Sequence, residues 1–221
     1  MGFGESLGVG EWLVIGLSIL IGLWFLIGNW INNQRSDETM RWLKKGVSVF
    51  GQPGRAQFSA PNAKGIRLKI EPPQQSPLKN LEGNLVLQRR ENLPIWGYQF
   101  LRGKQDTLQL TADVRPGPDG EIHAFHKSNL APVEASRRGE IASLTPIQQD
   151  GDIQYFSRGE SNPEQFHRIS RLAETYPGLF LEISVQRKSP NLTLQVRLSS
   201  LLRVAPQEFF QALNKVFNGQ G

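Results

Sequence analysis

With no cysteine in 221 residues, metal-binding or nucleophilic chemistry would have to start from the three histidines. His123-Ala124-Phe125-His126 is an HxxH, and His167 stands apart from it. Two imidazoles hold one ion only if they share a face. Glu121 to His126 reads as a strand, on which residues three apart point to opposite sides. The pair is therefore expected not to share a metal, and no HExxH or other ligand-spaced set is present. The missing thiols exclude thiolate zinc sites, thiol catalysis and disulfides. No metal and no cofactor are expected.

Nucleotide chemistry is equally hard to place. Gly97 to Lys104 (GYQFLRGK) has the outline of a phosphate-binding loop. It carries five residues between the glycines instead of four, has no Ser or Thr after the lysine, and leads into no helical pattern, so the cradle of N–H groups at a helix start is missing. Asp150-Gly151-Asp152 is too short for a calcium loop and reads as a turn. Asp106, Asp113, Asp119 and Glu121 have the right side chains for acid–base work, but on strand faces and at an Asp-Gly turn they read as solvated carboxylates. No catalytic residue is assigned, and a binding role is expected ahead of an enzymatic one.

Binding chemistry has better candidates. Arg89-Arg90 precedes Trp96, Tyr98 and Phe100, whose alternation predicts a strand over Ile95 to Leu101 with the three rings on one face. Such a face beside arginines can stack bases and hold phosphates, yet the RNP1 order is absent, and an inward, core-forming face is the expectation. Further basic doublets stand at Arg137-Arg138 and Arg187-Lys188, in expected loops. If Arg89, Arg90, Arg137, Arg138, Arg187 and Lys188 met on one surface, they would form a docking patch. Asn191-Leu192-Thr193 spells a glycosylation sequon, read as chance for a cytoplasmic domain.

The element that must position all of this is the run Trp12 to Ile31 (WLVIGLSILIGLWFLIGNWI), twenty residues without a charge. As a helix it would be ~30 Å long, the hydrocarbon thickness of a bilayer. Met1 to Glu11 carries Glu5 and Glu11 and no basic residue, whereas Arg35, Arg41, Lys44 and Lys45 follow the run. That asymmetry predicts an N-terminus outside and a C-terminal domain in the cytoplasm. The basic n-region and small-residue cleavage site of a signal peptide are missing, so the anchor is expected to be uncleaved. Ser18 and Gly22 form a small-xxx-small pair through which two helices can approach, but such residues are common in membrane helices, and a homodimer is the lesser expectation.

Ser36 to Phe50 reads as a separate juxtamembrane amphipathic helix, with Ser36 as N-cap and Met40, Leu43, Val47 and Phe50 on one face. Either Arg41, Lys44 and Lys45 on its polar side reach anionic lipid, or its apolar stripe packs on the domain. From residue 52 the chain shows one-sided strands: Ile66, Leu68 and Ile70; Leu108, Leu110, Ala112 and Val114; Leu179 to Val185; Leu192 to Leu198. Weaker strand patterns cover Asn84 to Gln88, Ile141 to Ile147 and Ile153 to Phe156. Ser161-Asn162-Pro163-Glu164 suits a capping box opening a helix with Phe166, Ile169, Ala173 and Tyr176 on one face. Pro206 opens a last helix with Phe209, Phe210, Leu213, Val216 and Phe217.

The expected organisation is thus a short non-cytoplasmic N-terminus (1–11), a single transmembrane helix (12–31), an amphipathic collar (36–50) and a cytoplasmic α+β domain (52–221), mainly an antiparallel sheet with helices on one face. Setting Glu5 and Glu11 aside leaves 25 basic against 18 acidic residues, a net of +7. The expected partners are the lipid bilayer and a membrane or cytoplasmic protein tethered there. RNA or the ribosome is the alternative that the positive charge allows, and an enzyme on a membrane-associated substrate is the third reading.

Overall fold

The apolar run and the segment after it form one unbroken helix, α1, spanning Val9–Val47. Two helices were expected here. The polar stretch Asn32 to Ser36 contains no Gly or Pro, and polarity alone does not stop a helix. Ser36 caps nothing; its buried hydroxyl donates to the carbonyl of Asn62 at 2.7 Å. The helix ends in a 3₁₀ turn, Ser48–Phe50. A computed structural model describes residues 8–50, 56–59, 62, 65–130, 138–159 and 162–218.

The described residues form a nine-stranded sheet in the order β1-β2-β3-β4-β9-β8-β5-β7-β6, antiparallel at every pairing. The strands are β1 (Ala56–Phe58), β2 (Arg67–Ile70), β3 (Leu78–Val86), β4 (Thr107–Val114), β5 (Glu121–His126), β6 (Thr145–Asp150), β7 (Ile153–Arg158), β8 (Phe180–Val185) and β9 (Leu192–Arg197). The helices beyond α1 that lie wholly within the described residues are α2 (Leu93–Leu101), the short α3 (Arg138–Ile141), α4 (Pro163–Thr175), the short α5 (Leu198–Leu201) and α6 (Pro206–Phe217). The last hairpin, β8–β9, lies at the centre of the sheet, between the β1–β4 meander and β5, which pairs in turn with β7 of the β6–β7 hairpin.

One face of the sheet carries the core: Leu68, Leu110, Ala112, Leu194, Ile183 and Ala124 are buried under α4, α6 and the C-terminal half of α1. This is the expected α+β arrangement. The collar resolves toward packing, because Met40, Trp42, Leu43 and Val47 of α1, with Phe50 after it, belong to that core. Trp42 stacks at a tilt on Phe209 and Phe210 and donates its indole N–H to the carbonyl of Val204 at 2.8 Å. Gly46 lets the Phe210 ring lie against the α1 backbone. The opposite face divides in two. Over β2–β4 it is polar and open, with Arg67, Lys69, Glu82 and Asn84 exposed. Over β5 and β7 a small second cluster of Phe125 and Leu144, with Leu130, Ile141 and Phe156, covers it. β8 is consequently buried on both faces.

Asn162 caps α4, accepting from the N–H groups of Glu164 and Gln165; Ser161 lies outside the described residues. The larger surprise is residues 93–101. A strand was expected there, and the structure has the helix α2. Its start and stop are conventional in hindsight: Asn92 caps it by accepting from Ile95 N–H at 3.1 Å, Pro94 fits the first turn, and Gly103 with φ +65° closes the end.

Candidate functional site

The site with the densest polar chemistry is the junction where α1 meets the loop of residues 87–92. Along α1, residues that meet the rest of the chain recur at helical spacing, Trp24, Gly28, Asn32 and Ser36, and lead into the core-packed Met40 and Leu43. This stripe begins inside the apolar run, seven residues before Ile31. Gly28 is required by close approach, since a Cβ there would stand 2.4 Å from the carbonyl carbon and oxygen of Arg90. Trp24 fixes the same peptide, donating its indole N–H to the Arg90 carbonyl at 2.7 Å.

One turn further along α1, the fully buried Asn32 donates to the carbonyl of Gln88 (2.9 Å) and to the Glu91 carboxylate (3.3 Å). Its own oxygen accepts from Arg90 Nη1 at 2.9 Å. Arg90 then turns into the domain and grips Asp106 with both terminal nitrogens, at 3.0 and 2.8 Å. The Gln88 backbone N–H donates to the same carboxylate at 2.8 Å, and Arg35 Nε lies 3.5 Å away. Side-chain exposure is 5% for Asp106, 15% for Arg90 and 37% for Arg35. A bidentate guanidinium–carboxylate pair at this burial fixes geometry as well as charge. Asp106 thereby corrects the expectation of a solvated acid. Its carbonyl also accepts from Leu198 N–H at 3.0 Å, linking the junction to the end of β9.

α2 leaves this junction and lies beside the apolar run. Trp96 packs on Trp24 with ring centroids 5.1 Å apart, and Phe100, one turn on, stacks on Trp96 at 5.5 Å. No residue of α2 is buried. Trp96, Tyr98 and Phe100 therefore do not form an inward strand face. Tyr98, Phe100 and Leu101 are exposed, and the Arg102 guanidinium lies 5.3 Å from the Tyr98 ring centre. The expected aromatic strand is a helix seated on α1.

Two of the basic doublets, Arg89-Arg90 and Arg187-Lys188, are not brought together. Arg90 is committed to Asp106, leaving Arg89 exposed beside it. Arg187 donates to the carbonyl of Asp119 at 3.0 and 2.6 Å, with Lys188 exposed next to it. β4 begins just after Asp106 and ends at Val114, whose N–H donates to Asn191 by that second turn. The two doublets thus sit at opposite ends of an eight-residue strand, about 24 Å apart along it. Arg137 lies outside the described residues, and Arg138 opens α3. Arg41, Lys44 and Lys45 are exposed on α1, and the Lys44 ammonium lies 5.8 Å from the Phe58 ring. They stand ~15–21 Å beyond Ile31 along the helix. Ser18 donates to the Val14 carbonyl within α1, and Gly22 has nothing within 4 Å.

The histidines have separate surroundings, consistent with their strand alternation. His123 is buried, its Nδ1 2.9 Å from Ser184 Oγ on the directly opposed position of β8. His126, at the end of β5, has its Nδ1 2.8 Å from Ser128 Oγ and 3.4 Å from Arg197 Nη2. Burial and the Arg197 charge hold His126 below the ordinary histidine value; Asp152 opposes them and Lys127 adds to them. Ser184 and His123 have the spacing of a nucleophile and base, but both are buried in the sheet.

Trp24, Gly28 and Asn32 are not identified as site residues from sequence, and Asp106 is named there only as a solvated acid. One signal was present: an indole seven residues inside an apolar run is out of place for a residue that favours the ends of membrane spans. The geometry defines an α+β domain clamped to a helix long and apolar enough to cross a membrane, of mean hydropathy 2.1 over its most apolar 18 residues, 6% of them buried. No protein family and no curated protein is matched by this sequence.

Proposed function

We propose that this protein is a single-pass membrane-anchored accessory protein, with its N-terminus outside and its α+β domain in the cytoplasm, where the domain binds a protein partner at the membrane. The observation that carries the reading is that, among the described residues, the apolar half of α1 packs on almost nothing, while its other half is part of the domain core. An apolar helix left uncovered in this way needs a solvent other than water. The charge asymmetry around Trp12 to Ile31 supports the orientation. The unbroken helix and the Asn32–Arg90–Asp106 clamp supply what a tether needs, a domain held in one attitude to its anchor. The open polar face of β2, β3 and β4, with Arg67, Lys69, Glu82 and Asn84, is available to a partner.

A chain without cysteine makes the topology simple to test. Lys188→Cys, at the far end of the domain, should react with a membrane-impermeant maleimide only after cells are permeabilised, and the protein should stay with membranes washed in alkaline carbonate. Release by carbonate would remove the anchor reading; labelling in intact cells would reverse the orientation. Crosslinking from membranes, washed at low and high salt, then separates the partners. Membrane proteins retained at high salt support tethering, whereas RNA lost at high salt would favour a nucleic-acid contact.

A further inference from the structure

We infer that α2 is an interfacial helix that enters the lipid bilayer beside α1, so that the domain grips the membrane at two points. The inference rests on the anchor reading above and adds a lipid-binding surface to it. Its first ground is depth. Trp96 of α2 packs on Trp24, and the Arg90 peptide sits on Gly28. Trp24 lies seven residues before Ile31, ~10 Å back along the helix. An element that touches α1 there shares whatever surrounds the last third of a run matched to a ~30 Å hydrocarbon layer.

The second ground is composition. Tyr98, Phe100 and Leu101 are 57%, 64% and 85% exposed, and α1 exposes Leu23, Phe25, Leu26, Ile27 and Trp30 alongside. These surfaces belong to helices in direct contact, so the apolar region of α2 continues that of the span and is no isolated patch in water. The third ground is charge. Arg89 stands exposed before the helix, and Arg102 and Lys104 stand exposed after it. Cations at both ends of a short apolar helix suit anionic headgroups, while Tyr98 and Trp96 are residues that favour the headgroup level. Asn92 and Arg102 cap the helix with polar residues, which leaves its apolar middle to the acyl boundary.

Single cysteines in this cysteine-free chain provide the test. Leu20→Cys, Leu101→Cys and Lys188→Cys are each labelled with an environment-sensitive nitrobenzoxadiazole dye in the full-length protein. Each is reconstituted into phosphatidylcholine/phosphatidylglycerol vesicles with and without doxyl-labelled lipid. The proposal expects loss of emission at 20 and at 101, stronger at 101 for a shallow doxyl group and at 20 for a deep one, with position 188 unaffected. Quenching at 20 with none at 101 overturns insertion of α2 and leaves the anchor standing. A blue-shifted but unquenched dye at 101 also overturns it, since protein and not lipid would then cover the helix. Absence of quenching at 20 removes the anchor reading and, with it, this one.

Discussion

Removing the Asp106 carboxylate would leave the guanidinium groups of Arg35 and Arg90 facing one another without a counter-charge. Both point at the same oxygen, at 3.5 and 2.8 Å. Breaking a buried pair from one side is far more costly than the pair's net worth, because the remaining charge stays desolvated. Asp106→Ala should therefore destabilise the protein by about 3 kcal/mol, read from urea unfolding in detergent micelles. A change within experimental error would mean that Arg90 escapes to solvent and that the clamp is not closed. His126 gives a second residue-scale expectation. Its depressed pKa means that the unfolded chain takes up the proton first as pH falls. Its contribution is complete above the ordinary value of 6.5 and is lost as pH falls through the folded value. The imidazole resonance of His126 in an NMR titration should have its midpoint below 6.5; a midpoint above it would place a carboxylate, not Arg197, as the dominant neighbour.

At the scale of elements, two glycines of α1 separate contact from exposure. Gly28→Val forces a branched side chain into the Arg90 backbone and should push α2 and its loop off α1. Overpacking of this kind costs about 2 kcal/mol, and the Trp24–Trp96 contact should be lost with it, visible as a red shift and lower intensity of tryptophan emission. Gly22→Val meets nothing within 4 Å and should change neither reading. The strands allow a similar contrast. Leu194 is buried at the centre of the sheet, between Leu110 and Ile183, so Leu194→Asp should abolish cooperative unfolding, since an unpaired buried carboxylate has no compensating partner there. These strands, and helices α4 and α6, were legible because one face is buried and the apolar period shows it directly. α2 was not legible for the opposite reason. It buries no face in the domain, so its rings carry no core-directed period, and Trp96, Tyr98 and Phe100 imitate the alternation of a strand. Only its punctuation, Asn92, Pro94 and Gly103, distinguished the two.

For the whole molecule, the change of pattern in the chain predicts a boundary at residue 52, whereas the packing puts it much earlier. Polarity changes at Asn32, but the fold does not follow polarity there: α1 runs through it and delivers Met40, Trp42, Leu43, Val47 and then Phe50 to the core. The relation was invisible in sequence because it depends on Phe209 and Phe210, more than 150 positions away, whose rings need the indole of Trp42 as a lid. Each of those five side chains contributes roughly 1.5–3 kcal/mol on burial. Together they supply on the order of 10 kcal/mol, comparable to the entire net stability of an ordinary domain. A fragment beginning at residue 52 should consequently be aggregated or molten, with no cooperative thermal transition. A fragment beginning at Asn32 keeps the lid, the Asn32–Arg90 contact and both guanidinium partners of Asp106. It should unfold in a single transition by circular dichroism. If the shorter fragment proved to be the stable one, the C-terminal half of α1 would be a movable strap and not part of the core, and the rigid link between anchor and domain would fall with it.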